Sequence, residues 1–270
     1  MPRRERRAGL PAILLACFAT VVFVFLMLPL LVVFPISVSS AAYLQFPPPG
    51  FSWQWFQRYF NDPDWIDATI RSFKVAAVCT VLAMTLGVPL SFLLVRSRRR
   101  GIWILDRLAA APIIVPTIIL SISIYSIFVR LQLIGEWYGV AIAHTVLALP
   151  FVVILVGAGL RGFDESQEQA AIGLGASWPV AVWRITLPQL RPSLISAGFL
   201  AFISSFDELV VAMFLSGASM TLPKKMFDNI MMEIDPTIAA VSVTQILLVA
   251  LCLGLTALFG KGALATTMSR

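Results

Sequence analysis

The chain has 270 residues, 59% of them hydrophobic and only 13% charged, with a formal net charge of +6 and a mean hydropathy of +0.90. So apolar a balance excludes a soluble globular domain of this size and points to a protein whose solvent is a bilayer. The surplus of base is a topology signal, and no nucleic-acid partner is expected.

A hydrocarbon core asks for about 20 mostly apolar residues per helix. Six stretches reach that length, at about 11–36, 68–95, 108–130, 139–160, 193–215 and 237–260. An all-α, polytopic membrane helix bundle with six transmembrane helices is therefore expected, as one domain over 1–270. The first stretch follows Met1-Pro-Arg-Arg-Glu-Arg-Arg7, a start shared with secretory signals, and Ser39-Ser-Ala-Ala42 faintly resembles a processing site. Its apolar run is about twice the usual signal length, so an uncleaved first helix is the expectation. Lys and Arg are retained on the cytoplasmic side. Fourteen of the 20 fall in the segments 1–10, 96–107, 161–192 and 261–270, which puts both termini in the cytoplasm.

Between the first two spans the chain reads Pro47-Pro-Pro-Gly50 and then becomes aromatic. Trp53, Phe56 and Phe60 recur at i, i+3 and i+7, which predicts a short amphipathic helix at the outer membrane surface, with partner docking as the alternative. Asn61-Asp62-Pro63-Asp64 then reads as a turn. The loop 96–107 carries Arg98, Arg99 and Arg100, suited to anionic lipid heads. Pro112, Pro116 and Pro150 each remove a backbone hydrogen bond and are expected to bend their helices. Cys17, Cys79 and Cys252 have no pairing or ligand spacing and read as packing residues. The single histidine, His144, reads as a hydrogen-bonded packing residue rather than a proton relay, and one histidine makes no metal site.

The connection 161–191 differs in character from its surroundings. Asp164 can cap a first short helix running through Gly173, and Gly175 ends it. Ser177 can cap a second helix, with Pro179 in its first turn and Pro188 beyond its end. Trp178, Val182 and Ile185 then form an apolar stripe on a polar loop. Such a stripe serves a partner or packs back on the ends of the fourth and fifth spans.

This loop resembles the one shared by membrane subunits of bacterial ATP-binding-cassette importers. That pattern is Glu-Ala-Ala, three residues, Gly, nine residues, Ile, one residue, Leu-Pro; Ala170, Ala171, Gly175, Ile185, Leu187 and Pro188 match it at the right spacings. Gln169 stands where the family has its first Glu, with Glu168 one place earlier. The resemblance implies the type I importer permease fold and a bacterial inner-membrane, multi-pass location. It implies a coupling helix that docks on a separate ATPase, carried here by Glu168, Gln169, Ala170, Ala171, Gly175, Trp178, Val182 and Ile185, with Leu187 and Pro188 setting the helix end. It also implies an ATPase dimer that binds ATP and Mg, a second homologous permease and a solute-binding protein, with no catalysis and no cofactor in this chain. A phosphate loop is absent here: Gly254 to Gly260-Lys261-Gly262 has the wrong spacing and lacks the hydroxyl.

Over nearly the whole length the chain resembles the second permease subunit of spermidine/putrescine importers, through Gly50-Phe-Ser-Trp53, Ala143-His-Thr-Val-Leu-Ala-Leu-Pro-Phe151, Ser205-Phe-Asp-Glu-Leu-Val-Val211, Thr221-Leu-Pro223 and Ile234-Asp-Pro-Thr-Ile-Ala-Ala240. Importers of iron, sulfate, molybdate or thiamine share parts of these. Independently, Asp207 and Glu208 interrupt an apolar stretch, where a charge is costly and usually faces a polar pathway or a partner. A cationic solute would explain them; so would a pair with another helix or a helix end. An ion-coupled carrier would show related halves, and no convincing internal repeat is present. An intramembrane enzyme would need a nucleophile with its base or a ligand cluster, and the sequence offers neither.

Overall fold

In a computed structural model, described for residues 10–97, 99–232 and 235–267, the chain is helical throughout apart from turns and one isolated antiparallel bridge, Ser39 to Phe51. The basic start at Arg3–Arg7, Arg98, Ile234 and the side chain of Cys252 lie outside the described residues. The chain divides into two compact units, one formed by residues up to Asp62 with Asn229–Leu248, the other by Pro63–Asp228 with the residues from Val249 on.

In the first unit, α1 (Leu10–Ser37) is apolar on all sides, and most of its described side chains are exposed, as befits a helix meant for lipid. A loop then leads to α2 (Gln54–Asn61). The expected amphipathic helix is there, but its packed side is the opposite one. Trp55 and Tyr59 are buried, Trp55 donating its indole N–H to the Ser39 carbonyl at 2.9 Å, while Trp53 and Phe60 are exposed. The stripe at 53, 56 and 60 thus remains largely open for an interface. The start of α13 (Thr237–Thr267) belongs to this unit as well. Asp235 caps it by accepting from the Thr237 N–H at 2.9 Å and hydroxyl at 2.7 Å, and its other oxygen pairs with Arg58 at 3.2 Å.

The second unit is built on α3 (Pro63–Arg96), α6 (Trp137–Arg161) and α10 (Arg191–Phe206). Small residues let these helices approach closely: Cys79, Ala83, Ala148, Ala197 and Ala201 are buried together with Val152 and Val156. A side chain at Gly87 would place its Cβ 2.6 Å from a Val152 methyl. In lipid, where apolar burial gives no advantage over solvent, such close packing is what holds helices together. A second cluster joins Val75, Ile124, Phe128, Val140, Val211 and Leu215.

Among the described residues three helices are long and apolar enough to cross a membrane, at Leu14–Ser37, Pro63–Arg96 and Trp137–Arg161. Two of the remaining expected spans depart from unbroken helices. The stretch 108–130 is divided into α4 (Ile102–Ile114) and α5 (Thr117–Arg130), bent by 106°. The break falls at Val115-Pro116, because a residue before proline is pushed out of the helical region and Val115 is extended. Pro112 and Pro150 stay inside α4 and α6 without ending them. The stretch 193–215 is divided into α10 and α11 (Val210–Leu215) at Asp207–Leu209. The helix expected at 237–260 runs on to Thr267. Pro63, expected in a turn, is instead the first residue of α3, a position where its missing N–H costs nothing.

Candidate functional sites: the loop after α6 and the broken helix

The loop after α6 contains α7 (Ser166–Gly173), α8 (Trp178–Ala181), a π-helical turn at Val182–Thr186 and α9 (Leu187–Gln189). Asp164 opens α7 by accepting from the Ser166 N–H at 3.0 Å, and that bond holds its carboxyl below the usual range. Gly175 closes it. With φ of +95° it occupies the left-handed region, the Ala176 N–H reaches back to the Ala171 carbonyl at 3.0 Å, and the Gly175 N–H bonds Ile172 at 3.0 Å. These paired bonds form the glycine-terminated helix end that satisfies otherwise orphaned carbonyls.

Two details of the second helix differ from expectation. Ser177 stands at its N-cap with an extended backbone, but its hydroxyl makes no capping bond. Leu187 and Pro188 lie within α9 rather than beyond a helix end, and the backbone passes through them and Leu190 into α10. Pro188 has no N–H to offer four residues back, and the register is taken up in the preceding π turn, the usual way a helix absorbs such a defect.

Glu168 is buried, 5% exposed, while its neighbours Gln169 and Ala170 face outward. Its carboxylate accepts from Arg96 Nη1 at 2.7 Å and from the Thr186 hydroxyl at 2.6 Å, and Gln189 donates to Gln167 at 2.7 Å. Burial alone would raise the Glu168 pKa; the hydrogen bonds from Arg96 and Thr186 and the Arg96 charge outweigh it, so the group is held below the usual carboxylate range. Glu168 therefore faces inward while Gln169 faces out. Outward from the loop stand Ile172, Leu174, Val180 and Trp183, with Leu174 91% and Trp183 73% exposed. Val182 and Ile185 are half-buried, Ala171 likewise. Val182, Leu187 and Trp178 form one wall of an apolar cavity of about 560 Å³, and Val88, Pro89, Phe92 and Leu93 of α3 form the other. The sequence reading missed Arg96, Thr186, Leu174 and Trp183. The bare apolar side chains beside Gly175 were a legible signal; the long-range partners were not.

The second site is the break between α10 and α11. Glu208 accepts from the backbone N–H groups of Val210 at 3.1 Å, Val211 at 2.8 Å and Ala212 at 3.4 Å, which satisfies the donors opened by the break. His144, buried in α6, lies with Nδ1 2.9 Å from the Ser205 hydroxyl and Nε2 3.6 Å from Glu208. The packing role expected of His144 thus has named partners. Asp207, by contrast, is exposed, and its carboxylate has no hydrogen bond or ion pair among the described residues. The two adjacent acids have different tasks. Among the described residues no group of three His, Cys, Asp or Glu could hold a metal ion.

Residues 82–265 match the family described as "Binding-protein-dependent transport system inner membrane component". Among curated relatives, the spermidine/putrescine transport system permease protein PotC of Haemophilus influenzae is 30% identical over 86% of this chain and 90% of its own length. The putrescine transport system permease protein PotI of Escherichia coli K12 is 32% identical over 82% of this chain and 81% of its own. In fold, the chain is similar to a crystal structure of a bacterial ABC transporter involved in the import of the acidic polysaccharide alginate, with a TM-score of 0.73 and 20% identity over 95% of this chain and 99% of that one. The break between α10 and α11 and the glycine-ended loop are thus features of a chain that belongs to the family of binding-protein-dependent transport system inner membrane components.

Proposed function

We propose that this chain is the translocating subunit of an ATP-driven polyamine importer, spanning the inner membrane six times with both termini in the cytoplasm. Six passages follow if the bent pair α4–α5 and the interrupted pair α10–α11 each make one crossing and α13 makes the last. The loop 161–191 is the surface that meets a separate ATPase dimer, which binds ATP and Mg. A second, homologous permease completes the pathway, and a binding protein delivers solute from outside. Gln169, Ala170 and Gly175 stand on the open side of the loop, where a partner can reach them, Trp178 lines the cavity yet keeps about half of its surface accessible, and the exposed Leu174 and Trp183 supply the apolar face.

The observation that carries the solute class is Asp207. A carboxylate left exposed at a helix break within an apolar stretch is costly unless it faces a polar path, and a primary or secondary ammonium is its natural counterpart. Glu208 adds negative charge beside it while fixing the break. Polyamine permeases among the relatives support the same class. The test is uptake of radiolabelled putrescine and spermidine by cells lacking this chain, before and after its restoration, with an ATP-depleted control. ATP-dependent rescue is the expected result. Uptake that never depends on the chain, in cells without another polyamine route, removes the polyamine assignment.

A further inference from the structure

We propose that Arg96 is a positioning residue of the transport cycle: through its bond to Glu168 it is the link by which a displacement of the loop 161–191 is passed to the membrane helix α3. The inference rests on the reading of that loop as the ATPase-facing surface.

Three observations carry it. First, α3 and the segment Trp178–Leu187 stand on opposite walls of the 560 Å³ cavity, so close apolar packing does not join them there. Movement of the segment can be absorbed by empty space unless something rigid crosses the gap. Second, a polar chain does cross it. Arg96, the last residue of α3, bonds Glu168 of α7 at 2.7 Å; the same carboxylate bonds Thr186 of the π turn at 2.6 Å; and Gln167 to Gln189 ties α7 to α9. Glu168 is thereby a node for α3, α7 and the π turn at once. A charge-assisted bond to a buried carboxylate is short and directional, and so transmits displacement where an exposed ion pair would not. Third, the guanidinium is itself held and has an alternative partner. It lies 5.0 Å over the Phe92 ring, its Nε is 4.0 Å from Glu165, and its Nη2 is buried without an acceptor among the described residues. A shift of α7 can therefore exchange one carboxylate for another without leaving the charge unpaired, which is the discrete alternative a transmitting element needs.

The experiment measures hydrogen exchange in the assembled importer, with and without ATP and vanadate, in peptides covering 161–191 and 86–97. In the unaltered protein both regions are expected to change with nucleotide. Arg96→Met is expected to keep the change in the loop and lose it in α3, whereas Arg96→Lys, which preserves one charge-assisted bond, keeps both. Should Arg96→Met fail to co-purify with the ATPase, Glu168→Ala, which removes the other partner of the same bond, is expected to keep the change in the loop and lose it in α3. A full α3 response in an assembled Arg96→Met importer, or in Glu168→Ala where it is the variant measured, overturns the proposal. A loop that does not respond in the unaltered protein overturns the ATPase-facing reading, and the proposal with it.

Discussion

His144 and Ser205 lie 61 positions apart in the chain and 2.9 Å apart in space, a hydrogen bond that stitches α6 to α10 just where α10 ends. The other ring nitrogen of His144 is 3.6 Å from the Glu208 carboxylate that caps α11, so one buried side chain sits against both sides of the break between α10 and α11. Hydrogen bonds of this kind between membrane helices contribute about 0.6 kcal/mol on average, with a maximum near 1.7 kcal/mol.

His144→Leu is accordingly expected to lower the melting midpoint in detergent by about 2–4 °C for each kcal/mol lost, read by size-exclusion of heated samples. An unchanged midpoint would mean that the bond contributes nothing to holding the break.

The two adjacent acids should part company on substitution. Asp207→Asn keeps the fold, because the side chain has no hydrogen bond or ion pair to lose among the described residues, and should weaken uptake of a divalent or trivalent amine through a raised apparent KM. Glu208→Ala removes acceptors from three backbone N–H groups and should cost about 0.5–2 kcal/mol of stability, as losing a helix cap does. Equal effects of both substitutions on KM and on melting would contradict this division.

Trp178→Asp should leave the protein in the membrane and abolish transport. An aromatic anchor at an interface centre is worth about 2 kcal/mol or more, hence roughly thirtyfold in affinity for the ATPase; co-purification of the two subunits measures it. Gly175→Ala meets no atom within 4 Å, so its cost is confined to the backbone at φ of +95°, about 1–2 kcal/mol. It should loosen the loop and lower the transport rate while leaving the transmembrane helices intact by circular dichroism.

The Glu168 link has a defined pH dependence. Its pKa is lowered in the folded protein, so its stabilisation is fully present above the ordinary Glu value of 4.5 and fades as pH falls through the lower folded value. Melting midpoints of the native protein and of Glu168→Gln should therefore differ at neutral pH and converge in strong acid. A constant gap down to the acid limit would show that the carboxylate is not the group responsible.

Much of the fold was legible in the residues themselves. The apolar runs of α1, α3 and α6 had to be helices, because only a helix satisfies its own backbone in lipid. Gly175 had to end α7, since the turn there needs a positive φ. The broken spans were half-legible: Pro112, Pro116 and Pro150 look alike in sequence, yet only Pro116 breaks its helix, with Val115 extended before it.

What the sequence by itself determined is local: helix positions, the glycine turn, the chemical identity of the loop, the oddity of Asp207-Glu208 in apolar surroundings. These follow from backbone geometry and transfer energies, which act over a few residues. Tertiary structure alone decided that Glu168 turns inward to Arg96 and Thr186 while Gln169 faces out, that Trp55 and Tyr59 rather than Trp53 and Phe60 are packed, and that Glu208 serves the backbone while Asp207 stays open. Each of these depends on which of two neighbouring side chains finds a partner far away in the chain, 72 residues in the case of Arg96 and Glu168, and periodicity carries no information about a partner at that distance.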